Sequence, residues 1–286
     1  MVLIGVCLIG ASVPAQTENK KNCLWEAKTE NGTIYFLGSI HVLKKEHYPL
    51  SKAFEKAYQK SDVVYFETSI DSLEMPSVAQ QIMGKALYSG QGTIKDDLTP
   101  ETAALFDSVL QAAQLPVQQF SKFKPWFAAT VLPIMKMQSV GATPSYGVDK
   151  YFFKKARTDE KEVGAFELVA EQIGMLAGLS STSQDIMLQQ MLRSLDEVES
   201  MFAKITDAWV KGDEAELVEV LKKDMQEVPD LYATLLVERN KNWCKEIKKL
   251  ALKKQNTLVI VGAAHLVGKD SVIEMLRKDG FKIKQL

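Results

Sequence analysis

Histidine and cysteine are both scarce, with three of each among 286 residues. That is too few for a zinc-finger array or a disulfide-framework scaffold. An excess of either charge is missing too, since 35 Lys and Arg against 36 Asp and Glu leave a net charge of −1. So even a balance builds no field to steer nucleic acid or an anionic membrane surface, and neither is expected as a partner. No apolar run reaches the roughly 20 residues that a membrane-spanning helix needs, and there is no strict short-period repeat or low-complexity tract. The remaining composition is 46% hydrophobic and 25% charged, which excludes disordered and fibrous classes. A folded chain of this length buries about 75% of the surface its unfolded form exposes, so a sizeable core is expected.

Residues 1–15, MVLIGVCLIGASVPA, are apolar and uncharged and give way abruptly to the polar QTENKKN. The stretch fits the apolar region of a secretory signal, with Val13 and Ala15 as the small residues before a cleavage point after Ala15. No basic residue precedes it, and a frayed apolar N-terminus of a cytosolic protein is the alternative. The expected organisation is a signal peptide and polar linker over 1–22, then a single α/β domain over 23–286. The mature protein is expected to be exported, either periplasmic or secreted.

Leu24–Lys28 and Thr33–Leu37 read as two β runs flanking Asn31-Gly32, a tight-hairpin signal. Ser51 is placed to cap a helix with Ala53, Phe54 and Ala57 on its apolar face, and Thr99-Pro100 opens another. Val63–Glu67, Glu162–Glu167 and Thr257–Val261 read as core strands, and Phe281–Lys284 alternates as an edge strand. Between about 75 and 155 the pattern is helical, and helical patterns return over 183–210, 213–224 and 229–252. Core strands joined by helical crossovers predict an α/β fold, a central sheet flanked by helices with a large helical insertion.

Two of the three histidines share one local context. Gly38-Ser-Ile-His41 and Gly262-Ala-Ala-His265 each follow a buried strand, and strand carboxyl ends are where α/β sheets bind ligands. Two imidazoles delivered there make a pair of metal ligands or acid–base groups; the bland reading is two unrelated capping histidines. His47 lacks this context and reads as a surface loop residue. Glu67 and Glu167 each close a core strand, where an ionised carboxylate must be paired, coordinated or solvated, or else cap the next helix. Two His and two Glu at four strand ends supply what a divalent-metal hydrolase requires, with Zn, Mn, Co or Fe compatible with mixed N/O ligands. Arg239, beside Asn240 and Trp243, is either an anion clamp or a solvated surface residue, because no carboxylate on its own helix face is placed to pair with it.

Cys7 falls within the signal, leaving Cys23 and Cys244. They are either a disulfide tying the two ends of an exported chain together or two separately buried thiols.

The stretches FLGSIHVL (36–43), VVYFET (63–68), YGVDKYFFKKA (146–156), FELVAEQ (166–172), ERNKNW (238–243) and VIVGAAHLVGKDSVIEMLRKDGFKI (259–283) resemble the TraB/GumN family. That family is related to the Tiki metalloproteases and more distantly to erythromycin-esterase-like and ChaN-like proteins. The resemblance spans nearly all of the mature chain. It implies an α/β fold of two related halves with the site between them and, in the Tiki branch, a Mn- or Co-type metallopeptidase. It also implies His41, Glu67 and His265 as the metal set, with Glu167, Arg239 and Asn240 as supporting site residues. Leu168 departs from the pattern, where similar proteins often carry Thr. The resulting expectation is a metal-dependent hydrolase (Mn, Co or Zn) acting on a peptide or small-molecule substrate. Glu167 would be the general base and Arg239 the charge-stabilising group. A metal-independent esterase-like hydrolase and a non-catalytic ligand-binding module are the alternatives.

Overall fold

The computed structural model describes residues 21–226 and 229–286; the segment read as a secretory signal lies outside them. Six strands are present among these residues: β1 (Leu24–Lys28), β2 (Thr33–Ser39), β3 (Val63–Thr68), β4 (Glu162–Glu167), β5 (Thr257–Gly262) and β6 (Ile283–Gln285). They form one mixed sheet in the order β4-β3-β5-β2-β1-β6. The four strands β4, β3, β5 and β2 run parallel, while β1 and β6 add on by antiparallel pairing. Helices cover the sheet, and the α/β class expected from the sequence is the one found. No helix among the described residues is long and apolar enough to cross a membrane.

Burial follows position in the sheet. Every residue of β5, TLVIVG, is buried, as a central parallel strand covered on both faces requires. β4 is half-exposed along most of its length. It lies at the sheet edge, where the sequence suggested a core strand. Its Gly164 lets the Tyr65 ring of β3 pass close over the backbone, where a Cβ would collide with that ring. The β1–β2 hairpin turns over residues 29–32, beyond the Lys28–Thr33 pair, with Thr29 donating its N–H to the Gly32 carbonyl (2.9 Å) across Glu30-Asn31 and its hydroxyl accepting from the Asn31 and Gly32 N–H groups. Gly32 is needed for space, since a Cβ there would strike the Gln255 carbonyl.

The expected caps form. Ser51 Oγ accepts from Ala53 N (3.2 Å) to start the Lys52–Lys60 helix, and Thr99 Oγ1 accepts from Thr102 N to start Pro100–Ala112. Helices also run over Pro76–Ala86, Pro125–Ser139 and Val148–Thr158. Phe106, Leu110 and Leu132 pack with Leu188 and Leu192 into a hydrophobic cluster separate from the core at the sheet. The pattern over 183–210 is broken by a short 3₁₀ turn, Leu195–Glu197. The one over 229–252 contains a π-helical turn, Ala233–Val237, just before the Glu238–Leu250 helix. Such turns are frequent at functional sites.

Cys23 and Cys244 are buried free thiols. Cys23 Sγ fills the space left by the missing side chain of Gly38, and Cys244 Sγ faces the Val272 carbonyl. Burial pushes the Cys244 thiol up to about 12.

Candidate active site at the strand ends

The four parallel strands all finish at one edge of the sheet, with Ser39 opposite Gly262 and Thr68 opposite Glu167. The two Gly-x-x-His turns leave neighbouring strands, one residue out of step: Gly38 pairs with Val261, and Gly262 with Ser39. Side chains alternate between sheet faces with a period of two, so a one-residue offset puts the two glycines on opposite faces. A Cβ on Gly38 would collide with Cys23 Sγ in the core. A Cβ on Gly262 would instead lie 3.2 Å from His41 Nε2, 3.4 Å from Glu67 Oε2 and 3.7 Å from His265 Cδ2. The missing side chain of Gly262 is thus a cradle ringed by three potential ligands.

Each histidine is held through its Nδ1. His41, with 57% of its side chain exposed, bonds Asp149 Oδ1 at 3.0 Å. Asp149 comes from the first turn of the Val148–Thr158 helix. A carboxylate accepts, so Nδ1 carries the proton and Nε2 faces Glu67 Oε2 at 3.8 Å. Desolvation opposes the charged ring, but Asp149 and then Glu67 outweigh it and raise His41 to about 9.

His265 is buried and bonds Asn240 Oδ1 at 2.6 Å. Asn240 is oriented in turn by donating Nδ2–H to the Asp270 carbonyl (2.7 Å). His265 Nδ1 is therefore the donor, and Nε2 accepts from Arg239 Nη1 at 3.2 Å. Burial lowers His265 to about 3, with Arg239 adding to the effect against the opposing pull of Glu67, so the ring is neutral at pH 7. Trp243 packs against it, ring centroids 4.3 Å apart.

Arg239 joins the two carboxylates. Its Nη2 donates to Glu67 Oε1 (2.6 Å) and Glu167 Oε2 (2.8 Å), its Nε to Glu167, and its Nη1 to the Leu235 carbonyl and His265. A guanidinium has five N–H donors, and all are engaged. Arg239 is therefore neither solvated nor free to clamp a substrate anion, and its carboxylate partners come from β3 and the end of β4. The Leu235 carbonyl belongs to the π-helical turn.

Gln172, from the Val169–Ala177 helix, donates Nε2–H to both Glu67 Oε1 and Glu167 Oε2 (3.1 Å each). Trp243 Nε1 donates to Glu167 Oε1 (2.8 Å), so donors fill both oxygens of Glu167. Glu67 Oε2 accepts from Gly262 N at 3.0 Å. Burial pushes the Glu67 carboxyl up, but surrounding positive charge holds it well below the usual carboxylate range. At neutral pH, with His265 uncharged, that charge is on Arg239 and His41.

A cavity of about 450 Å³ opens beside this cluster. His41, Glu67, Gln172, Arg239 and His265 line one side, while apolar side chains including Val42, Phe202, Leu221 and Leu236 line the rest. Glu167 is not on its wall; it faces a second cavity of about 470 Å³ on the far side of Arg239, together with Glu171, Glu238 and Trp243. Ser39 is on the first cavity's wall, with its Oγ buried and unpartnered.

The donor set suits a divalent ion in type, although His265 Nε2 is taken by Arg239 Nη1. Each imidazole is fixed through Nδ1 by a hydrogen-bonded partner, the usual arrangement for Nε2 ligation. His41 Nε2 and Glu67 Oε2 are 3.8 Å apart, within span of one ion bonded to both at about 2.0–2.2 Å. The sphere is not closed: no three His, Cys, Asp or Glu side chains among the described residues stand in metal-holding geometry, and Arg239 donates to both Glu67 Oε1 and His265 Nε2.

All six residues singled out from the sequence meet here, His41, Glu67, Arg239, Asn240 and His265 in contact with one another or one residue removed, and Glu167 behind Arg239. Asp149 and Gln172 were missed. Asp149 meets His41 from 108 residues away, and Gln172 meets Glu67 from 105 residues away although its other partner, Glu167, is only five residues back. His47 is half-buried against Phe202 rather than free at the surface.

A relative from Escherichia coli (strain K12), "Uncharacterized protein YbaP", is 22% identical over 247 residues, covering 86% of this chain and 89% of its own. An uncharacterized protein of Treponema pallidum (strain Nichols) is 18% identical, covering 93% and 83%. "Metalloprotease TIKI1" of Danio rerio is 22% identical over 91% of this chain and 62% of its own. No solved structure matches the chain significantly. The model of the TraB/PrgY/gumN family matches residues 23–285, nearly all of the described chain, and the protein belongs to that family.

Proposed function

We propose that the protein is an exported, metal-dependent hydrolase acting on peptides, with His41, Glu67 and His265 holding one divalent ion (Mn, Co or Zn). The observation that carries this is the cradle at Gly262, ringed by His41 Nε2, Glu67 Oε2 and the His265 ring. The likeness to a protein named as a metalloprotease supports the hydrolase class.

A bound ion would supply a Lewis acid and a water acidic enough to attack an amide near neutral pH. The chain's own residues provide the rest. Asp149 and Asn240 fix the two rings through Nδ1, with His41 Nε2 facing the cradle and His265 Nε2 reached by an ion only if Arg239 Nη1 gives way. Arg239 and Gln172 keep Glu67 ionised and still. Glu167, suggested by the sequence as general base, has donors on both oxygens and stands off the cavity; in this reading it positions Arg239. The apolar wall takes a nonpolar part of the substrate and excludes water from the reacting bond.

The test is hydrolysis of a fluorogenic peptide library by protein stripped of metal and then resupplied with Mn, Co or Zn. Activity restored by metal and absent from His41→Ala and His265→Ala supports the proposal. Hydrolysis insensitive to chelation would move the assignment to the metal-free esterase class.

A further inference from the structure

The amide of Gln172 has only one orientation compatible with its neighbours. Its nitrogen lies 3.1 Å from both Glu67 Oε1 and Glu167 Oε2. Turning the amide over would set its oxygen against two carboxylates and remove a donor from each. Amide orientation is assigned from such a network, and here the network is unambiguous. Both N–H groups are used up inward, which leaves Oε1 as the free end. No hydrogen bond from the described residues reaches that oxygen, and it is not among the polar atoms shut away from solvent. Gln172 lines the cavity of His41, Glu67 and His265 and not the neighbouring one, and with both N–H groups turned to the carboxylates its uncommitted polar atom is Oε1.

Three polar side chains around the reacting centre are committed, while Ser39 Oγ, a hydroxyl that can donate as well as accept, is unpartnered on the same wall. All five Arg239 donors are engaged, His265 is held at both nitrogens, and Glu67 accepts at both oxygens. An acceptor held this rigidly, on a largely apolar wall, selects for a ligand that brings a donor. A substrate group without one would leave Oε1 desolvated and unpaired, and that penalty is how a polar site discriminates.

We propose that Gln172 Oε1 is a specificity-determining contact that accepts the N–H of the amide to be cleaved, which makes the site selective for amides over the corresponding esters. This rests on the hydrolase reading above and narrows its substrate class. Nε2 has the separate task of holding Glu67 and Glu167.

The test uses two matched probe sets: fluorogenic decapeptides with an amide at the cleaved position, and depsipeptides in which an ester oxygen replaces that N–H. Both are offered to the wild-type protein, Gln172→Met and Gln172→Glu, with circular dichroism confirming folding. The readout is the amide-to-ester ratio of kcat/KM, corrected for the uncatalysed rates, which a purely structural role would leave unchanged. Gln172→Met, with no acceptor oxygen, is expected to lower the ratio about 10-fold or more. Gln172→Glu keeps acceptor oxygens beside the other carboxylates, and is expected to lose rate on both probe sets while retaining most of the ratio. Equal losses on both sets in Gln172→Met, or no wild-type amide preference, would overturn the proposal while leaving the hydrolase reading intact. Failure of the wild-type protein to cleave either set with metal supplied would overturn both.

Discussion

Adding one methyl group at Gly262 separates the site from the fold. Gly262 has φ −51° and ψ 136°, a conformation open to any L-residue, so Gly262→Ala introduces no backbone strain. The new Cβ would be 3.4 Å from Glu67 Oε2 and 3.7 Å from His265 Cδ2, ordinary contacts, and 3.2 Å from His41 Nε2, a few tenths of an ångström tight. The His41 side chain is more than half exposed and can swing outward. Mild overpacking is then offset by the reduced freedom of the unfolded chain, giving a net change within about 1 kcal/mol and a Tm shift of about 4 °C or less. The effect on the site is far larger. Ligand bonds of about 2.0–2.2 Å require an ion in the space the methyl now fills. Metal retained after dialysis, read by inductively coupled plasma mass spectrometry, should fall at least about 10-fold while calorimetry shows a cooperative, near-native transition. A variant that keeps wild-type metal content would refute the cradle as the binding site. Loss of cooperative unfolding would refute the reasoning about space.

Other outcomes follow from the buried charges. Arg239→Met leaves Glu67 and Glu167 facing each other with Gln172 between them; breaking a buried pair this way costs about 3–5 kcal/mol at pH 7. Urea unfolding should show that loss shrinking as pH falls and a carboxyl is protonated, and a loss under about 1 kcal/mol would contradict the pairing. Lys222 is buried, donates to the Val267 carbonyl (2.6 Å) and is lowered to about 8 by burial, with Asp270 opposing. Between about pH 8 and the unfolded value of about 10.4, the unfolded chain holds the extra proton. Wild-type stability should therefore rise with pH relative to Lys222→Met across that window, by at most about 1.4 kcal/mol per pH unit. Parallel stability curves for the two proteins would show the lysine unperturbed.

The sequence made much of the architecture readable because its strongest signals are local. The apolar run of β5, the caps at Ser51 and Thr99, and the paired Gly-x-x-His turns each appear within a few residues. What the chain could not display is register. The two turns look alike in sequence, yet a one-residue offset between β2 and β5 makes Gly38 a packing requirement against Cys23 and Gly262 the floor of the site. Arg239 has no carboxylate on its own helix face, so its salt bridges to Glu67 and Glu167 were invisible along the chain. Asp149 acts across the fold, and so does Gln172 toward Glu67. Asn31-Gly32 marked a hairpin correctly, but the glycine serves the close approach of Gln255 rather than a tight turn.

The most direct test of the account is the metal content of the protein, purified without a chelating tag and then titrated with Mn, Co and Zn by calorimetry. The account predicts one divalent ion per chain, and loss of that binding in His265→Ala with the fold retained. A folded wild-type protein that carries no ion and binds none of the three would contradict it.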